Sequence, residues 1–190
     1  MENQQTNTAL LVMDMQMGIL GNFPDEKMEV IQKAAEAIAC ARQKNMPVLF
    51  VRLGFQKGFP EIGPSNKLFW EMKNSVDDSI LPQFMKLHPG LGVQEGDMII
   101  NKKRVNAFSG NELEMILQAK NIRHLVLSGV ATSGIVLSTF CVAFDKDYQL
   151  TVLSDACADR NEDVHQMLMN NVFAGRANVN TVEEWKGRLL

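Results

Sequence analysis

An aspartate closing one apolar run, a lysine closing another and a glycine-bounded turn after a third are the residues of this chain placed to do chemistry. Asp14 follows Ala9 to Met13, Lys102 follows Met98 to Ile100, and Gly129-Val130-Ala131-Thr132-Ser133-Gly134-Ile135 follows Leu125 to Leu127. Beyond the carboxyl end of a buried strand a carboxylate is partly desolvated, which raises its pKa and suits it to acid–base work. A lysine beside it would be held charged by it. Backbone N–H groups at a helix start can hold a negatively charged oxygen. Gln16 adds a hydrogen-bonding group next to Asp14. Each feature has a plainer reading. Asp14 could bracket the turn Met15 to Gly18, and Lys102-Lys103-Arg104 could be a solvated turn. The glycine turn could be an ordinary strand–helix junction. Strand alternation sends Lys102 and Lys103 opposite ways, so at most one enters a given pocket. Ile135 stands at the helix start where a nucleophile would be expected, and it has no reactive atom.

The segments that must position these residues alternate in type. Thr8 to Met13, Pro47 to Leu53, Met98 to Lys102, His124 to Ser128, Gln149 to Ser154 and Ala177 to Thr181 read as strands. Asp25 to Asn45 has helical spacing, with Met28, Ile31, Ala35, Ile38 and Ala41 on one face and Pro24 suited to its first turn. Ser109 to Lys120, Ser133 to Asp145 and Asn161 to Phe173 are the other expected helices. Uniformly apolar strands separated by helices predict an α/β fold, a three-layer α/β/α sandwich on a six-stranded, mostly parallel sheet. Gly54 to Gly96 breaks the rhythm and reads as a long excursion with little regular structure. Its Phe55, Phe59, Phe69 and Trp70 either pin it down or line a pocket or a subunit contact.

Composition narrows the function. The 190 residues are 46% apolar, which suits a single domain over 1–190. The net charge of −3 and the absence of a basic block point away from nucleic acid and anionic membranes. Apolar runs are of strand length, and the start Met1 to Thr6 is polar, so a cytoplasmic chain is expected. Cys40, Cys141 and Cys157 form no metal or disulfide pattern and read as buried apolar residues. His88, His124 and His165 are scattered, with His165 expected at the surface or half-buried, and no metal site is indicated. No phosphate- or dinucleotide-binding glycine pattern is present, so no cofactor is expected.

Taken together, Ala9 to Gln16, Lys102 to Gly110, Val126 to Thr132 with Ser138-Thr139 and Ala143-Phe144, and Tyr148 to Asp159 resemble the isochorismatase-like, or cysteine hydrolase, superfamily. The likeness runs from about Thr8 to Glu184. It implies a catalytic Asp, Lys and Cys, which match Asp14, Lys102 and the position of Ile135. It also implies a cis bond at Val130-Ala131, an oxyanion hole in that loop, and a dimer or tetramer. Cys141 lies six residues beyond Ile135, about 240° round a helix, and cannot simply stand in. Isochorismatases lack the Cys and keep the Asp and Lys. As that branch implies, vinyl-ether hydrolysis needs a proton given to carbon and water added, with no covalent intermediate.

The resulting expectation is a hydrolase acting on a small carboxylate, enol-ether or amide-type substrate. Asp14 is its acid/base and Lys102 the electrostatic partner. Gln16, Phe23, Phe108, Val130, Ala131, Thr132, Ser133 and Gly134 are expected to bind, with Trp70 a further candidate wall. Two alternatives stand beside it. One is a catalytically silent small-molecule binder, and the other a Cys-dependent amidase whose nucleophile lies elsewhere.

Overall fold

The computed structural model describes residues 7–24 and 28–189. The expected helix start at Asp25 and the polar start Met1 to Thr6 lie outside the described residues. Six strands form one sheet: β1 (Thr8–Met13), β2 (Val48–Leu53), β3 (Met98–Lys102), β4 (His124–Val130), β5 (Gln149–Ala158) and β6 (Asn178–Asn180). Their order is β3-β2-β1-β4-β5-β6, and every neighbouring pair is parallel. The helices are α1 (Met17–Leu20), α2 (Glu29–Gln43), α3 (Lys67–Ser75), α4 (Leu81–Phe84), α5 (Leu113–Ala119), α6 (Leu137–Asp145), α7 (Glu162–Met167) and α8 (Val182–Gly187).

Strand β1 shows why its sequence is apolar throughout. Leu10 and Val12 pack with α2 and α8 on one face, while Ala9, Leu11 and Met13 pack with α5 and α6 on the other. A strand covered on both faces has no polar side to present. Helix α2 buries Val30, Ile31, Ala34, Ala37, Ile38 and Ala41, a stripe at helical spacing. Its first turn is at Glu29, so Pro24 stands in the chain before it.

Several boundaries differ from the sequence expectation. Strand β5 runs on to Ala158, through the polar pair Ser154-Asp155, with a register shift against β4 between Leu127 and Gly129. Thr132–Val136 is a π-helical turn leading into α6, and Leu168–Phe173 is another continuing α7. Helix α8 was not anticipated; a reciprocal cap between Thr181 and Glu184 starts it. The excursion from 54 to 96 is more ordered than its glycines and prolines suggest. Asn66 caps α3 through the Phe69 N–H, and Pro82 fits the first turn of α4. Phe55, Phe59, Phe69, Leu81 and Phe84 gather there with Leu53 and Ile62 into a satellite core, so four of the excursion's aromatics pin it down.

The sheet order places the site. The chain runs from β1 outward to β2 and β3, then crosses back so that β4 flanks β1 on its other side. The carboxyl ends of β1 and β4 therefore frame a switch-point crevice. Gly129 pairs with Met13 there, and a Cβ on it would stand 2.6 Å from the Met13 carbonyl oxygen. Gly129→Ala must force these strands apart, with an expected cost of about 1–3 kcal/mol, the usual range for overpacking. Urea denaturation of the variant checks this; unchanged stability would mean the two strand ends are not in contact.

Candidate active site

Asp14 leaves β1 in a left-handed conformation, φ +57°, which Asp tolerates better than most residues. Its N–H still donates to the Val51 carbonyl at 2.8 Å, so the chain turns only after the strand is anchored. Lys102 ends β3, one strand beyond β2, and its long side chain bridges that gap. Its Nζ lies 2.9 Å from Asp14 Oδ2 and donates to the Arg104 carbonyl at 3.1 Å. Lys103 takes the opposite direction, as strand alternation requires, donating to the Gly54 carbonyl and facing Glu61. The side chains of Lys102 and Asp14 are 1% and 8% exposed.

Burial decides the electrostatics of this pair. Desolvation raises the Asp14 carboxyl from 3.8 to about 6, although the Lys102 charge and hydrogen bond, and the Leu53 backbone N–H, oppose it. Desolvation likewise lowers Lys102, against the attraction of Asp14. Removing both charges from water thus outweighs their mutual attraction. Asp14 Oδ1, the oxygen not paired with the lysine, is buried without a hydrogen-bond partner.

Both residues line a cleft of about 190 Å³. Val130, Ala131, Gly134 and Ile135 form the β4 side, with the Val130–Ala131 peptide bond cis. Phe23, Ile19, Leu53, Phe69 and Val105 supply apolar walls. Ile135 is buried in that wall.

Other residues expected at the site stand elsewhere. Gln16 is fully buried and spends its amide on structure: it accepts from Leu53 N–H at 2.7 Å and donates to the Leu53 and Phe84 carbonyls. It ties the excursion to the end of β2. Phe108 packs against Tyr148, centroids 6.2 Å apart, away from the cleft. Thr132 is buried and shares a 2.8 Å hydrogen bond with His165. His165 is therefore in the interior, where a surface or half-buried position was expected. Ser133 is exposed, and its N–H donates to Asp159 Oδ2 at 2.7 Å. The Gly134 N–H donates to the Ala131 carbonyl at 3.1 Å. Two amides expected to be available for an oxyanion are thus engaged, one by the Asp159 carboxylate and one within the turn. Trp70 is half-buried, with the Lys73 ammonium over its ring, and does not line the cleft.

Among the described residues, no cysteine lines the cleft. Cys157 is buried in β5, with its thiol pushed up to about 12 by desolvation. Cys40 is buried in α2. Cys141 is exposed on α6, a correction to its expected burial, because it lies on the face turned from the sheet.

The residue that sequence reasoning missed is Arg160. It lies two positions past β5 and lines the cleft. Among the described residues, no carboxylate is within salt-bridge distance of its guanidinium. Asp159 beside it holds the 132–136 turn instead. Burial works to raise the Asp159 carboxyl, but hydrogen bonds from Ser133 and Asn161 outweigh this and keep it below the usual range. The signal was present in Asp155-Ala156-Cys157-Ala158-Asp159, but the polar start of that stretch read as the end of the strand.

Comparisons with known proteins bear on the family and the fold. The isochorismatase domain matches residues 8–184. The isochorismatase-family protein YecD of Escherichia coli O157:H7 is 31% identical over 97% of each chain. The ureidoacrylate amidohydrolase RutB of Stutzerimonas stutzeri is 30% identical over 80% of this chain and 69% of its own. Among solved structures, an isochorismatase-family protein from Burkholderia thailandensis superposes with a TM-score of 0.84 and 28% identity, covering 96% of this chain and 95% of its own. A match that begins at the first residue of β1 and ends inside α8, with the whole sheet between, means that this chain belongs to the isochorismatase family.

Proposed function

We propose that this chain hydrolyses a small, carboxylate-bearing enol ether, with Asp14 as the acid that protonates carbon and with no covalent enzyme intermediate. The observation that carries this reading is Asp14 Oδ1: a buried, unpartnered oxygen on a carboxyl held at about 6. Such a group carries a proton in part of the population at neutral pH and can also take one back. Oδ1 gives its proton to the terminal carbon of the double bond, and the ether oxygen's lone pair stabilises the resulting cation. Water adds to that cation and returns a proton to Asp14. The hemiketal then collapses to a ketone and an alcohol, which leaves with a proton. Lys102 stabilises Asp14 once it is ionised. Arg160 supplies a cation for the substrate carboxylate.

Amide hydrolysis, the activity that RutB's name gives, calls for a nucleophile and a place for an oxyanion. The engaged amides of Ser133 and Gly134 and the walls without a thiol support the acid-catalysed route instead. The decisive assay supplies 2-methoxyacrylate and ureidoacrylate in parallel. Pyruvate should accumulate from the first, read with lactate dehydrogenase, and the second should stay intact. Turnover of ureidoacrylate alone would overturn the reading, as would binding of both without turnover.

Two variants or treatments sharpen it. Arg160→Ala should raise KM about 10–100-fold with a smaller change in kcat, since a hydrogen bond to a charged group contributes about 1.5–3 kcal/mol. Iodoacetamide should label exposed Cys141 in the folded chain without loss of activity. Activity lost in step with labelling of any cysteine would place a thiol in the mechanism.

A further inference from the structure

We infer that the substrate has an uncharged apolar tail, which lies in a second chamber opening off the cleft. This rests on the reading above for where the polar head sits. The cleft's volume of about 190 Å³ is below the range of about 300–1,000 Å³ usual for small-molecule sites. It suffices for the reacting head and little else. Next to it lies a chamber of about 680 Å³. The two share Ile19, Asn22, Leu53, Leu68 and Phe69 as common walls, so the chamber adjoins the cleft along these side chains.

The charges are sharply divided between them. Asp14, Lys102 and Arg160 all line the cleft, and among the described residues no charged side chain lines the chamber. Its remaining walls include Met72, Val76 and Ile80 from α3 and the turn beyond it. Its floor depends on a glycine: a Cβ on Gly18 would come within 2.0 Å of the Phe84 ring, so Phe84 packs directly on the backbone there. Leu68 and Ile80 are 62% and 49% exposed. A tail seated against them would take that apolar surface out of water. The ligand is therefore amphipathic, with an acidic head at Arg160 and a linear or aryl hydrocarbon group beyond Leu68.

The test is a binding series that needs no turnover. Straight-chain carboxylates from acetate to octanoate, and alkanols from butanol to octanol, are titrated by ligand-observed NMR. Affinity should rise about three- to fourfold per methylene in both series, the gain expected for burying a CH₂ group. In Ile80→Asp and Met72→Trp the ratio of octanoate to acetate affinity should collapse at least tenfold. The second variant fills the chamber without adding charge, so a folding defect in the first does not decide the outcome. No chain-length dependence in the wild-type chain, or a dependence that survives both variants, would overturn the inference. If the alkanols show the gain while acids bind no better than alkanols, the chamber stands and the head-group reading falls. If sedimentation shows Ile80→Asp splitting an oligomer and the chain-length gain is absent, the chamber mouth belongs to a second copy and the inference fails.

Discussion

Asp14→Asn lowers kcat/KM for the enol-ether probe by about 10²–10⁴-fold, the usual contribution of a positioned general acid. The pH profile separates this from mere damage to the site. In the wild-type chain the protonated carboxyl is the active form. With its pKa at about 6, the rate is flat in acid and declines tenfold per pH unit above that value. By pH 8 it is about a hundredfold below the plateau. Asn has no proton to give at any pH, so the residual rate of the variant loses this decline. Lys102→Met supplies the complementary result. Lys102 opposes the upward shift of Asp14, so without it the alkaline decline moves to higher pH. A decline that stays in place in both variants would assign the titration to another group and remove Asp14 from the acid's role.

Much of this site was legible because it sits where strands end. Asp14 and the Gly129–Ile135 turn each close an apolar run, and the parallel order brings β1 and β4 side by side. Lys102 needed one further step, the crossing of β2, which alternation and a long side chain allow but no spacing rule predicts. Gln16 and Phe108 were misplaced for a common reason. Residue type shows what a side chain can bond to, whereas the choice between ligand and backbone depends on the course of the excursion after β2. That course is set by tertiary contacts of Phe55, Phe59 and Phe69 with one another and with Leu53. Arg160 was missed because Ser154 and Asp155 looked like the end of β5. The strand continues past them across an irregular register, and Asp155 accepts the Val182 N–H at 2.8 Å. The polar residues there serve the next element of the fold.

The Asp14–Lys102 pair should cost stability, and neutralising both partners should restore what neutralising either one loses. For Asp14 the folded pKa, about 6, exceeds the ordinary 3.8, so the folded chain binds the proton more tightly than the unfolded chain. Stability is then highest below about pH 4 as far as this group is concerned, and falls as pH rises through about 6. The shift corresponds to about 3 kcal/mol at 1.36 kcal/mol per unit. Lys102→Met leaves a buried carboxylate without its counter-charge, and Asp14→Asn leaves a buried ammonium without its own. Removing one partner of a buried pair costs about 3–5 kcal/mol. The double variant Asp14→Asn/Lys102→Met buries no charge. Asn keeps the left-handed turn at position 14, and Met fills the volume of the lysine stem. It should be as stable as the wild-type chain at pH 8 or more so, with no activity and with the pH dependence between about 4 and 6 gone. Urea denaturation of all four chains at pH 4, 6 and 8 measures this as a double-mutant cycle. If the two losses simply add, the charges are not each other's compensation. The electrostatic reading of the site would then lose its foundation.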